Sequence, residues 1–130
     1  MIFLLILNTT DSIKFIFISM IKVHVKGAYA DVKIITVCGS YKFKKEMTEI
    51  TEKMALEGNC MLTPIELTKS GKDAYTEDEA SMLDKMHKEK IKLADAILVV
   101  NVNGYIGNST KSEIEFAKSL NKEIMYYTIQ

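Results

Sequence analysis

An α/β fold is what this sequence predicts, and three observations predict it. Short apolar runs recur at residues 31–38, 60–64, 96–102 and 123–129. The segments between them carry apolar residues every three or four positions, the period of one helix face. Glycine, asparagine or proline punctuates the junctions, at Gly39, Gly58, Pro64, Gly104 and Asn121. Strands alternating with helices of this length require right-handed crossovers and hence a mainly parallel sheet. The expected architecture is a three-layer sandwich, Rossmann-like or flavodoxin-like, with a sheet of four to five strands.

Each element follows from its own pattern. "DVKIITVC" is mostly apolar and ends at Gly39-Ser40, as a parallel strand buried on both faces does. Phe43, Met47, Ile50 and Met54 then line one helix face, and Gly58 is placed as a left-handed C′ residue. "CMLTP" is a short strand stopped by the one proline in the chain. The polar residues 66–75 read as a flexible loop. Thr76 and Glu79 form a capping box for a helix that turns Leu83, His87, Ile91 and Ala94 inward. "AILVVNV" is a third buried strand. It runs into "NGYIGNSTKSEIEFA", a turn-rich segment and a helix with Ile114, Ala117 and Leu120 inward and Asn121 as cap. "EIMYYTI" is the last strand.

Residues 31–130 are expected to form one domain. Residues 1–30 are rich in Ile and Phe but broken by Asn8, Asp11 and Lys14, and read as an appended apolar extension. Its apolar run is too short to span a bilayer, and it lacks the basic start and small-residue cleavage site of a signal peptide. His24 in this stretch reads as a solvated or strand-face histidine.

Seventeen basic residues balance seventeen acidic ones. Without a basic surplus, neither a nucleic-acid polymer nor a membrane surface is the expected partner. Every basic residue is a lysine, so a phosphate would be held by backbone N–H groups, hydroxyls or Lys rather than by a guanidinium fork. Cys38 and Cys60 lie in apolar runs without CxxC spacing, and read as buried free thiols in a reducing cytoplasm. The two His and two Cys are dispersed, so no metal site is expected, and no cofactor either.

In open parallel sheets, ligands bind beyond the carboxyl ends of the strands. Gly39-Ser40-Tyr41, the region after Pro64, and the segment from Asn101 to Glu113 converge there. Two readings of Thr110-x-x-Glu113 compete. The spacing fits a capping box worth about 1 kcal/mol, with no further role. Yet Gly104 and Gly107 permit close backbone approach. Asn101, Asn108, Ser109 and Thr110 crowd hydrogen-bonding groups into the same stretch, and a helix N-terminus suits an anion. That terminus also favours an ionised Glu113. Tyr41 and Tyr105 are placed to stack on a base or to be plain surface residues. "CGSYKFKK" lacks both GxGxxG and the GKS/T ending, against a dinucleotide site or a P-loop. Asp84 and Lys88 have the spacing of an exposed ion pair, His87 reads as a core histidine, and Asp95 as a turn or cap residue.

Over residues 33–127 the chain resembles the nucleoside 2-deoxyribosyltransferase superfamily, which includes deoxynucleoside 5′-monophosphate N-glycosidases. The resemblance rests on "ITVCGS", "KLADAILVV" and "GNSTKSEIEFAKSLNKEIMYY" in that order. It implies Glu113 as nucleophile toward the anomeric carbon of a nucleoside or nucleotide, with Gly39 and Ser40 at the sugar or phosphate and Asn108 and Ser109 near a phosphate. The superfamily's first-strand tyrosine falls on Thr36, and its helix aspartate on His87. The resemblance thus implies His87 as general acid, its ordinary pKa lying near neutrality, or Asp84 one turn earlier as substitute. It also implies a small-molecule nucleoside or nucleotide partner and a homo-oligomer. A catalytically silent nucleotide-binding or sensing module is the alternative, and a cytokinin-activating type of phosphoribohydrolase the third.

Overall fold

The structure is a computed structural model, and it describes residues 32–130. The expectations for residues 1–30 and for His24 lie outside the described residues. Four parallel strands form the sheet: β1 (Ile34–Gly39), β2 (Cys60–Leu62), β3 (Ala96–Val102) and β4 (Glu123–Ile129), in the order β2-β1-β3-β4. A 3-10 turn (Tyr41–Phe43) leads from β1 into α1 (Lys44–Leu56). Helix α2 (Glu77–Leu93) precedes β3, and α3 (Asn108–Ser119) precedes β4.

The strand patterns explain the order. β1 and β3 are apolar at consecutive positions and buried on both faces, so they take the centre. Their register pairs Ile35 with Ala96 and Gly39 with Val100. β2 and β4 are only half-buried and take the edges. Two cores result. Ile35, Val37, Leu98 and Val100 meet Met47 and Ile50 of α1 on one face. Cys38, Ile97 and Val99 meet Ile91 of α2 and Ile114 and Ala117 of α3 on the other.

The local signals that position the helices act as expected at several points. Thr76 caps α2 with both reciprocal bonds to Glu79 present. Asp95 accepts the Ile34 amide through Oδ2 at 2.9 Å, pinning the start of β1. Asn121 takes a positive φ of 54° just past α3. Two expectations change. Leu120 sits at the C-cap and is 37% exposed, because α3 ends at Ser119 before the inward stripe reaches it. Cys60 is exposed rather than buried, because it opens an edge strand. Residues 63–76 carry no regular strand or helix. Among the described residues, no helix is long and apolar enough to cross a membrane.

Candidate active site

Alternation along β1 sends Thr36 and Cys38 to the face covered by α2 and α3. Thr36 Oγ1 donates to the Lys90 carbonyl of α2 at 2.9 Å. Two residues along the strand, Cys38 Sγ stands 3.6 Å from His87 Nε2, one helical turn back along α2. From α3, Glu113 Oε1 approaches the same His87 Nε2 at 3.7 Å. Cys38 is fully buried, and the His87 and Glu113 side chains are 10% and 12% exposed. The ligand atoms of all three lie within 4.8 Å of one another.

This setting moves the protons. Burial raises Glu113 to about 7, with Asp84 adding to the rise and the Cys38 thiol and Lys88 opposing it. Burial lowers His87 to about 4, helped by the Lys90 charge and opposed by Asp84. The Cys38 thiol is pushed well up by burial and by Glu113. At neutral pH the imidazole is therefore neutral, the thiol protonated and the carboxyl divided between its two forms. Nδ1 of His87 is buried without a hydrogen-bond partner among the described residues.

Three expectations are corrected by this geometry. Helix α3 begins at Asn108 with Gly107 as N-cap and no side-chain cap, so Thr110 and Glu113 form no capping box. The Lys111 amide bonds the Gly107 carbonyl at 2.9 Å and closes the first turn three residues ahead of that expectation, which turns Glu113 onto the seam with α2. The helix terminus does not hold Glu113 ionised. Glu113 lies in the second turn, where the dipole has faded, and desolvation dominates. His87 is not near neutrality as an acid, because burial disfavours its charged form.

A cleft of about 590 Å³ opens beside the cluster. Gly39, Ser40 and Tyr41 line it from the end of β1, and Asp84 and His87 from α2. Gly107, Asn108, Ser109, Thr110 and Glu113 form the third wall. The first-turn amides of α3 have no intrahelical acceptors and lie at that wall. Leu67 and Tyr75, from the irregular segment, also line it. Asp84 accepts from Lys88 Nζ at 2.8 Å, the expected ion pair.

Asn101, Gly104 and Tyr105 are placed elsewhere, by structural demands. The Asn101 side chain bonds Thr128 Oγ1 at 3.1 Å and accepts the Gly104 amide at 3.0 Å. Asn103 and Gly104, with φ of 51° and 79°, make a turn in which the Tyr105 amide bonds the Val102 carbonyl. Both central residues have positive φ, the requirement of a type I′ turn, which accounts for Asn-Gly here. Tyr105 packs edge-on to Phe43 and carries the Lys42 ammonium 3.3 Å from its ring centroid. Gly39 answers to packing as well as position: a Cβ there would stand 2.9 Å from the Val100 carbonyl oxygen and from Met47 Sδ.

Cys38 was not among the residues the sequence nominated for the site. The signal was in "ITVC": period-two alternation puts Thr36 and Cys38 on one face, opposite Ile35 and Val37. What alternation alone does not give is that α2 lays His87 over Cys38.

No family model matches the sequence, and no curated protein matches it either. Among solved structures, the fold matches a 2-deoxyribosyltransferase from Leishmania mexicana at TM-score 0.56 and 17% identity, over 74% of this chain. It also matches a 2-deoxyribosyltransferase from the psychrotolerant bacterium Bacillus psychrosaccharolyticus at TM-score 0.62 and 17% identity, over 73% of this chain. The matched region spans 64% of the length of the first and 72% of the second. At this identity the likeness is one of fold.

Proposed function

We propose that the chain cleaves or transfers the N-glycosidic bond of a nucleoside or nucleoside 5′-monophosphate, with Glu113 as nucleophile. The observation that carries this reading is the placement of Glu113. It is a carboxyl held by α3 against His87, on the wall of a cleft that also carries the free amides at the start of the same helix. The fold shared with two 2-deoxyribosyltransferases supports the assignment of the chemistry.

In this reading the carboxylate attacks the anomeric carbon and forms a glycosyl-enzyme ester as the base departs. Water then releases the sugar, or a second base accepts it. The amides of Asn108 and Ser109 receive a 5′-phosphate, and Gly39 and Ser40 border the sugar. His87, neutral at the pH of reaction, stands 3.7 Å from Glu113 and orients it, and Asp84, a carboxylate paired with Lys88 on the cleft wall, faces the leaving base, which departs with a proton taken from solvent. A cytoplasmic setting and association into a homo-oligomer belong to the same proposal.

The test is chromatographic: incubate the protein with ribo- and deoxyribonucleosides and their 5′-monophosphates, and look for free base, with Glu113→Gln in parallel. Release by the parent and not by the variant is the expected result. Release by both removes Glu113 from the mechanism.

One observation favours a second reading. Thr36 and His87 both serve the fold, the first bonded to a helix carbonyl and the second held neutral. A silent nucleotide-binding module would use the same cleft, and would show binding of a nucleotide with no base released over hours.

A further inference from the structure

The Cys38–His87–Glu113 cluster has a chemistry of its own beside the glycosidic reading. The three donors come from β1, α2 and α3, and their ligand atoms lie within 4.8 Å of one another. A tetrahedral zinc ion, with Zn–S of about 2.3 Å and Zn–N and Zn–O of about 2.0–2.1 Å, spaces its sulfur and nitrogen ligands about 3.5 Å apart and its nitrogen and oxygen ligands about 3.4 Å apart. The corresponding separations here are 3.6 Å for Cys38 to His87 and 3.7 Å for His87 to Glu113. Two edges of a zinc triangle therefore stand within a few tenths of an ångström of their final lengths. The third, from Cys38 to Glu113, lies within 4.8 Å.

Charge and surroundings agree with that geometry. One thiolate, one carboxylate and one neutral imidazole carry two negative charges, which cancel a divalent cation in a place where net charge is costly. Nδ1 of His87 meets no acceptor among the described residues, so none of them fixes the tautomer from that side, and Nε2 can present its lone pair. His87 and Glu113 also line the cleft, which supplies an entry path and room for a further ligand. Three protein ligands with an open fourth position is the arrangement of zinc sites that keep an exchangeable ligand. Aspartates and glutamates alone would favour magnesium or calcium, whereas a thiolate with an imidazole selects a softer ion.

We propose that Cys38, His87 and Glu113 form a zinc-binding site at the wall of the cleft. The occupied site engages the Glu113 carboxylate, so zinc loading and base release exclude one another.

The experiment uses the full, tag-free chain and zinc alone, titrated against a chromophoric chelator. One zinc per chain is expected, with affinity reduced about 100-fold or more in Cys38→Ser and unchanged in Cys60→Ser, whose thiol is exposed and outside the cluster. A Cys60→Ser background then takes cobalt in place of zinc. With Cys38 the one remaining thiol, a thiolate-to-cobalt charge-transfer band together with intense tetrahedral d–d bands is expected, and this reading does not depend on how Cys38→Ser folds. Failure to hold zinc against the chelator, equal affinity in Cys38→Ser folded as judged by circular dichroism, or cobalt bound without the thiolate band overturns the site. Because the readout is bound metal, its failure is separate from failure of the base-release assay.

Discussion

His87 Nε2 lies 3.7 Å from Glu113 Oε1, and at neutral pH a neutral imidazole there faces a carboxyl divided between its two forms. Taking both out of water costs more than their mutual attraction returns as ions, so burial drives the imidazole toward its free base and the carboxyl toward its acid. In the metal-free protein, this one relationship sets how the proposed activity and the stability are expected to respond to pH.

Activity is expected to climb with pH. A nucleophilic Glu113 works as carboxylate, and its pKa is raised to about 7. Initial rates at low substrate, measured in chelator from about pH 5 to about pH 9, should rise through that value and level off. A flat profile across it removes Glu113 from the ionised role.

Stability should move in the opposite sense for the same group. Glu113 titrates near 4.5 unfolded and about 7 folded, so the folded state holds more protons between those values. Stability is therefore lost as pH rises through that window, by about 3 kcal/mol in all. His87 runs the other way. It titrates near 6.5 unfolded and about 4 folded, so the unfolded state holds more protons between them and stability falls as pH drops through that range. Glu113→Gln should gain on the parent as urea unfolding is moved from about pH 5 to about pH 8. An equal difference at both pH values would show that the burial of Glu113 is not coupled to its ionisation.

Gly39→Ala should destabilise the domain although the backbone there needs no positive φ. The added methyl meets the Val100 carbonyl of the adjacent strand, which cannot yield as a side chain can. A loss of about 1–3 kcal/mol is expected from such overpacking. For a domain of roughly 100 residues each kcal/mol lowers the thermal midpoint by about 4–8 °C. An unchanged midpoint would mean that β1 and β3 separate at no cost.

Thr76→Ala should cost about 1 kcal/mol, because it leaves the Glu79 amide without its acceptor. Thr76→Ser should restore most of it. If serine does not, the methyl group rather than the hydroxyl carries the effect.

The sequence made the fold legible wherever local chemistry sufficed. Buried strands, the Thr76 cap and the cap residue Asn121 all follow from residues a few positions apart. The site was legible in part: Glu113, Asp84, His87 and the wall from Gly107 to Thr110 sit on one cleft. Three things lay outside local reach. The start of α3 at Asn108 carries no side-chain cap to mark it in the sequence. The pairing of Cys38 with His87 is a contact across 49 positions. The reversal of the two pKa directions depends on burial, which exists only once α2 and α3 have closed over β1.

The two cysteines differ in a way that outlasts any question of catalysis. Cys38 is fully buried between sheet and helices, while Cys60 lies exposed on the outer strand. The chain thus contains a paired stopwatch: a thiol reagent in the metal-free protein marks Cys60 at once and Cys38 only when the layers part. Comparing the two labelling rates along one trace yields the frequency of that opening without an added dye, which suits a protein with no tryptophan to report on it.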